Sequence, residues 1–151
     1  MSDLPPVSSR RSEYTSAFLL LRLFLGLRTV LAGLEKFEGK GHYSFENYYE
    51  NMKRMASGIT GASFLPLWAT KNFAFTLGYL LIIFGVGILL GLKTRLMLFL
   101  AGLLYVGLSF GLMAVQEGEG VAWLGVHVAM FAAALVLVRH NRYVLWADKN
   151  V

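Results

Sequence analysis

The stretch AFLLLRLFLGLRTVLAGLEKF, Ala17–Phe37, has the length and apolarity of a membrane span. Yet it carries Arg22 and Arg28 inside the apolar run and the pair Glu35–Lys36 at its end. A guanidinium near the bilayer centre costs about 2.5–3.5 kcal/mol on insertion scales. Each arginine therefore needs a partner. At 100° per residue, Arg22, Gly26, Thr29, Gly33 and Lys36 fall within roughly 80° of one another. Arg28 and Glu35 lie just beyond that stripe. The opposite arc is wholly apolar: Leu20, Leu23, Phe24, Leu27, Val30, Leu31 and Leu34. The pattern predicts a helix with one lipid face and one bundle face. Gly26 and Gly33 should let a second helix approach closely. Glu35 lies two turns beyond Arg28, a rise of about 10.5 Å, so the expected link is a water or a ligand oxygen.

Working outward, the same apolar character recurs. Of 151 residues, 56% are hydrophobic and only 15% charged, against about a quarter charged in ordinary soluble domains. Mean hydropathy is +0.57. Three more runs have span length: Phe73–Leu92, Arg95–Val115 and Val121–Val138. Their unbroken apolarity excludes a barrel, whose strands alternate. The expectation is an all-α integral membrane protein: a four-transmembrane-helix bundle with a long loop between the first and second helices. Residues 1–16 read as a polar tail and 17–151 as a single transmembrane domain. The "SRRS" of that tail lacks the apolar pair of a twin-arginine signal and is read as the charged flank of the first span.

Short links, Gly91–Arg95 and Gln116–Gly120, make neighbouring spans antiparallel. Arg10, Arg11, Lys93, Arg95, Arg139, Arg142 and Lys149 fall on one side; Lys36, Lys40, Lys53, Arg54 and Lys71 fall on the other. That bias places both termini in the cytoplasm. The net charge of +5 suits anionic lipid headgroups rather than nucleic acid, because no polar domain carries a basic patch. The long loop contains SFENYYENMKRMASGI, Ser44–Ile59. It reads as a short interfacial helix capped by Ser44, with Phe45, Tyr48, Tyr49, Met52 and Met55 as its apolar stripe. Gly58, Gly61 and Pro66 should break it. Such a helix either rests on the outer end of the bundle or forms a lid over a cavity.

Polar groups at membrane depth are the candidates for function. The later spans offer Tyr105, Ser109 and His127 but no carboxylate. Two readings of the arginines stand side by side. In one they bond backbone carbonyls and hydroxyls; in the other they line a pocket for an anionic or carbonyl-bearing ligand, such as a quinone or lipid headgroup. An acid from a partner subunit is a third answer. His127 is read as a helix–helix hydrogen bond to Tyr105 or Ser109, or as part of that pocket. Haem is not expected, since His42 and His140 sit away from membrane depth. No His–carboxylate spacing suits a metal. Without cysteine, iron–sulfur and thiol chemistry are excluded.

These pieces resemble the DoxX family. LLLRLFLGLRTVLAGLEKF is similar to its first-helix pattern, with Arg22, Gly26, Gly33 and Lys36 at the recurring positions. FGVGILLGLKTRLMLFLAGLL resembles its second and third helices, and ALVLVRHNRYVLWADK its closing segment. The resemblance implies a four-helix bundle in the bacterial inner membrane. It also implies a link to quinone and sulfur redox chemistry through partner enzymes. Two positions depart from the pattern: Arg28 replaces a usual apolar residue, and Leu81, four before Gly85, replaces a glutamate common in relatives. The expected function is a quinone-interacting or accessory subunit of a membrane oxidoreductase system. Alternatives are a structural subunit or assembly factor, or a small transporter or lipid-binding protein. The expected ligand-binding residues are Arg22, Arg28, Glu35, Lys36, Tyr105, Ser109 and His127, with quinone as cofactor. Lipids and protein subunits, including copies of this chain, are the expected partners.

Overall fold

A computed structural model describes residues 7–146, with side chains from Ser12 onward. Residues 1–6 of the polar tail, the side chains of Arg10 and Arg11, and Lys149 lie outside the described residues. Five α-helices and one small hairpin are present among them. Helix α1 (Val7–Leu34) continues into a 3₁₀ turn, Glu35–Phe37. Strands β1 (Glu38–Gly39) and β2 (His42–Tyr43) pair antiparallel around Lys40–Gly41, both at positive φ. Then come α2 (Phe45–Ala62), α3 (Leu67–Leu90), α4 (Thr94–Ala114) and α5 (Gly118–Leu137).

Four of these helices are long and apolar enough to cross a membrane, over Ser12–Phe37, Leu67–Leu90, Thr94–Ala114 and Gly118–His140. The chain is an all-α, multi-pass membrane protein. α1 begins earlier than the apolar run suggested, because Val7–Ser16 is already helical. α3 also begins earlier: Pro66 stands at its N-cap with extended ψ and fixes the start at Leu67.

The spanning helices pack in a ring, α1 on α3, α3 on α4, α4 on α5 and α5 back on α1. The α1–α3 seam is the tightest. A Cβ on Gly33 would stand 2.9 Å from Gly78 O, and one on Gly85 would stand 2.7 Å from Val30 N. No side chain fits between those backbones, so glycine is required on both helices. The faces of α1 divide as its wheel predicts: Arg22, Leu25, Thr29 and Ala32 are buried, while Leu20, Leu23, Phe24, Leu27, Leu31 and Leu34 are exposed. Val30 alone leaves the outer arc, because it fills the notch of Gly85.

α2 corrects the sequence reading in two ways. Its buried stripe is Tyr48, Met52, Ala56 and Ile59, whereas Phe45 and Tyr49 face outward. The helix also runs through Gly58 and Gly61 to Ala62. Each interior glycine costs about 1 kcal/mol, but tertiary anchoring outweighs it. Ile59 is buried, and the Thr60 hydroxyl pairs with that of Thr70 on α3 at 2.6 Å. The Ser44 cap forms as expected, accepting from Asn47 N at 3.1 Å. The Asn47 side chain turns instead to the hairpin, donating to His42 O. Tyr48 is the main bolt of α2. Its hydroxyl donates to Phe75 O at 2.7 Å and accepts from Gly78 N at 3.3 Å, and its ring stacks on Phe37.

Candidate functional site

The sequence candidates separate into two places. Arg22 stands at the end of the bundle where α1 begins and α5 finishes. It is 6% exposed and bonds three neutral oxygens: Asn141 Oδ1 at 2.8 Å, Tyr143 O, and Leu89 O at 3.3 Å. Leu89 belongs to the last turn of α3, whose carbonyls lack helical partners and carry the negative end of the helix dipole. Asn141 in turn donates to Thr94 Oγ1 at 2.9 Å, at the start of α4. The segment after α5 also lies along the α3–α4 turn through backbone bonds, Trp146 N to Gly91 O and Lys93 N to Trp146 O. Arg22 thus holds α1, α3 and the post-α5 segment together. Among the seven candidates, it and Ser109 stand apart from the cavity that the other five line. Ser109 donates back to Tyr105 O at 2.9 Å.

The other five candidates meet at the opposite end. Arg28, Glu35, Lys36, Tyr105 and His127 all line one cavity of about 600 Å³. α1 supplies the charged wall, α4 and α5 the facing walls, and α2 covers it with Asn51, Met52, Met55, Gly58 and Ile59. The arrangement follows from local structure. Arg28 sits in the last two turns of α1, Glu35 and Lys36 in the 3₁₀ turn that continues it, Tyr105 on the inner face of α4, and His127 on the third turn of α5.

One expectation needs correction here. Arg28 and Glu35 touch directly, Nη1 to Oε1 at 3.3 Å. Two turns of rise separate their Cα atoms, but residues seven apart share one side of the helix, and both side chains are long enough to close the gap. The pair is open to the exterior, at 39% and 59% side-chain exposure. The Lys36 ammonium, half-buried beside it, has no hydrogen bond or ion pair among the described residues and feels Glu35 and Arg28 through space, while its carbonyl accepts from Asn51 Nδ2 at 3.2 Å. One carboxylate therefore faces two cations, and the cavity wall keeps one net positive charge.

The deeper groups are aromatic. His127 Nδ1 lies 2.7 Å from Trp123 O. A carbonyl can only accept, so Nδ1 carries the proton and Nε2 presents its lone pair in the neutral ring. The expected hydrogen bond from His127 to Tyr105 or Ser109 does not form. Instead the His127 ring stacks on Tyr105, centroids 5.5 Å apart, because the carbonyl one turn back on its own helix is within reach. His127 Nε2 and Tyr105 Oη are both buried with no hydrogen-bond partner. The Thr29 hydroxyl lies near Tyr105 and donates to Leu25 O at 2.6 Å, so toward the phenol it can act only as an acceptor. Buried polar atoms without partners are uncommon and costly. Two of them on one cavity wall suit a ligand that both donates and accepts, or an acceptor with a water. Leu81 also lines this cavity, where a carboxylate would have balanced its charge. Among the described residues, no three His, Asp or Glu side chains converge as a metal site would need.

Sequence reasoning offered this helix as a lid but did not find that Asn51, Gly58 and Ile59 would be the residues lining the cavity beside Met52 and Met55. Nor did it find Asn141, which answers Arg22 from far along the chain. Among comparisons with known proteins, the family model described as DoxX matches residues 17–114, well over half of the chain. No curated protein and no solved structure matches it.

Proposed function

The chain belongs to the DoxX family of membrane proteins, and on that premise we propose that it is a quinone-binding accessory subunit of a membrane oxidoreductase system. One observation carries the reading: a largely apolar cavity of about 600 Å³ gathers Arg28, Lys36, Tyr105 and His127, with one net positive charge and two unsatisfied polar atoms. Pockets of this size, apolar with a few convergent polar groups, are the usual form of a small-molecule site. A quinone, when bound, supplies a two-electron, two-proton couple; the electrons come from a partner reductase. Arg28 and Lys36 hold a carbonyl oxygen and favour negative charge there. Tyr105 Oη donates a hydrogen bond to the second carbonyl, and His127 Nε2 accepts or returns a proton at that end of the cavity. The lid reading of α2 belongs to the same picture, since Met52, Met55 and Ile59 close the cavity from outside.

Trp123 lines the cavity and reports on it. Titration of the protein in nanodiscs with a short-chain benzoquinone should quench Trp123 fluorescence saturably, and Trp123→Phe should remove that signal. Arg28→Gln should weaken the affinity about tenfold, the loss of one charge-assisted hydrogen bond. Quenching that rises linearly without saturation, or is unchanged by Arg28→Gln and Lys36→Gln together, overturns the proposal. A structural-subunit role is favoured by one feature, the sparse cover of α5. Only 17% of its spanning window is buried, and Val126 and Val136 face outward. In that case pocket variants would leave assembly of the complex intact and α5 variants would abolish it.

A further inference from the structure

α2 covers a second, smaller cavity of about 210 Å³, set between α3 and α4. Leu65, Ala69, Phe73 and Phe110 form its walls. Its one polar side chain, Thr70, is already satisfied by Thr60 Oγ1 at 2.6 Å and Leu67 O at 3.1 Å. Nothing polar is left to meet a ligand, so this groove suits hydrocarbon alone. Two residues line both cavities, Ile59 of α2 and Gly111 of α4. A Cβ on Gly111 would stand 3.1 Å from Ile59 Cδ1, so the two are in contact and form the partition. On one side of it lie two cations and two unsatisfied polar atoms; on the other lies only hydrocarbon.

We propose that the smaller groove receives the first tail segment of the ligand whose head occupies the larger cavity, with Ile59 and Gly111 as the threshold the tail crosses. The inference rests on the quinone reading and narrows it to a tailed quinone. Even one added carbon at Gly111 would meet Ile59 Cδ1 at 3.1 Å, so a tail crosses the threshold only when the Ile59 side chain rotates away. A tail gains little by leaving lipid for a groove equally apolar. The groove therefore acts by shape, and filling it is more informative than shortening the tail.

The test uses two probes with one benzoquinone head, the first without a tail and the second with a ten-carbon chain, read by Trp123 quenching in nanodiscs. Gly111→Leu fills the threshold. Ala69→Phe fills the groove from α3 and leaves the threshold untouched, which guards against a folding defect in either variant. Ala69→Phe should weaken the tailed probe about tenfold, as overpacking does, and leave the tailless probe unchanged; Gly111→Leu, whose position also lines the head cavity, should weaken the tailed probe more than the tailless one. A photoreactive group on the first tail carbon should label Phe73 or Phe110. If the variants shift both probes alike, or neither, or if the label falls on the outer face of α5, the groove does not hold the tail. If the tailless probe itself fails to saturate in the unaltered protein, the head-pocket reading fails and this inference with it.

Discussion

Arg22 is 6% exposed and spends its guanidinium on three neutral oxygens; Arg28, further along the same helix, is 39% exposed at its side chain and spends its own on a carboxylate. The first closes one end of the bundle, and the second edges a cavity at the other. A buried cation in a membrane bundle needs acceptors but not an anion, and a helix C-terminus supplies them. The deeper position in the protein is thus the structural one. The looser ion pair is available to a ligand, because a mobile carboxylate can share its cation at little cost.

The comparison breaks first at Arg22. Arg22→Met keeps the stem and removes the fork, leaving Tyr143 O, Leu89 O and Asn141 short of a donor. The expected loss is about 3 kcal/mol, read as a lowered unfolding midpoint in detergent. Arg22→Lys should recover little, since one ammonium cannot reach three divergent oxygens. Arg28→Met should cost less than about 1 kcal/mol. Equal midpoints for Arg22→Met and Arg28→Met would falsify the division of roles.

The second effect concerns the cover of the open site. Tyr48→Phe removes the bond to Phe75 O and should loosen α2 by about 1 kcal/mol, seen as faster proteolysis within α2. Burial raises the Tyr48 phenol above its ordinary value, partly offset by the Gly78 backbone bond. Its contribution is therefore full below the unfolded value of about 10 and lost as pH rises through the higher folded value. In the unaltered protein, α2 should become protease-sensitive only above that range. Earlier release, near neutral pH, would show that Tyr48 is not the bolt.

The smallest effect sharpens the contrast at Arg28. Glu35→Gln frees both cations of their shared carboxylate and should tighten quinone binding by about threefold, the scale of an exposed ion pair. Weaker binding would mean that Glu35 itself contacts the ligand.

Much of this was legible in the chain. The lipid and bundle faces of α1 followed from its wheel, and the glycine seam followed from Gly26 and Gly33. The Ser44 cap and the four spans followed from local pattern. The stripe of α2 was only half legible. Tyr48 and Met52 turned inward as read, but Ala56 and Ile59 replaced Phe45 and Tyr49, because docking on α3 selects the face that fits rather than the most aromatic one. Five of the seven candidate residues share a cavity, yet no periodicity separates them from Arg22, which satisfies the same wheel.

The sequence by itself determined four spans, one polar-faced first helix and the residue types able to serve a polar cavity. Spacing along a helix sets direction, and direction is a local property. The tertiary structure alone decided which arginine was answered and by what. Asn141 and Tyr143 reach Arg22 from the far end of the chain, and Glu35 reaches Arg28 by side-chain length. Partnership depends on distances between elements that no single helix specifies, and on carbonyls whose availability arises only where a helix ends.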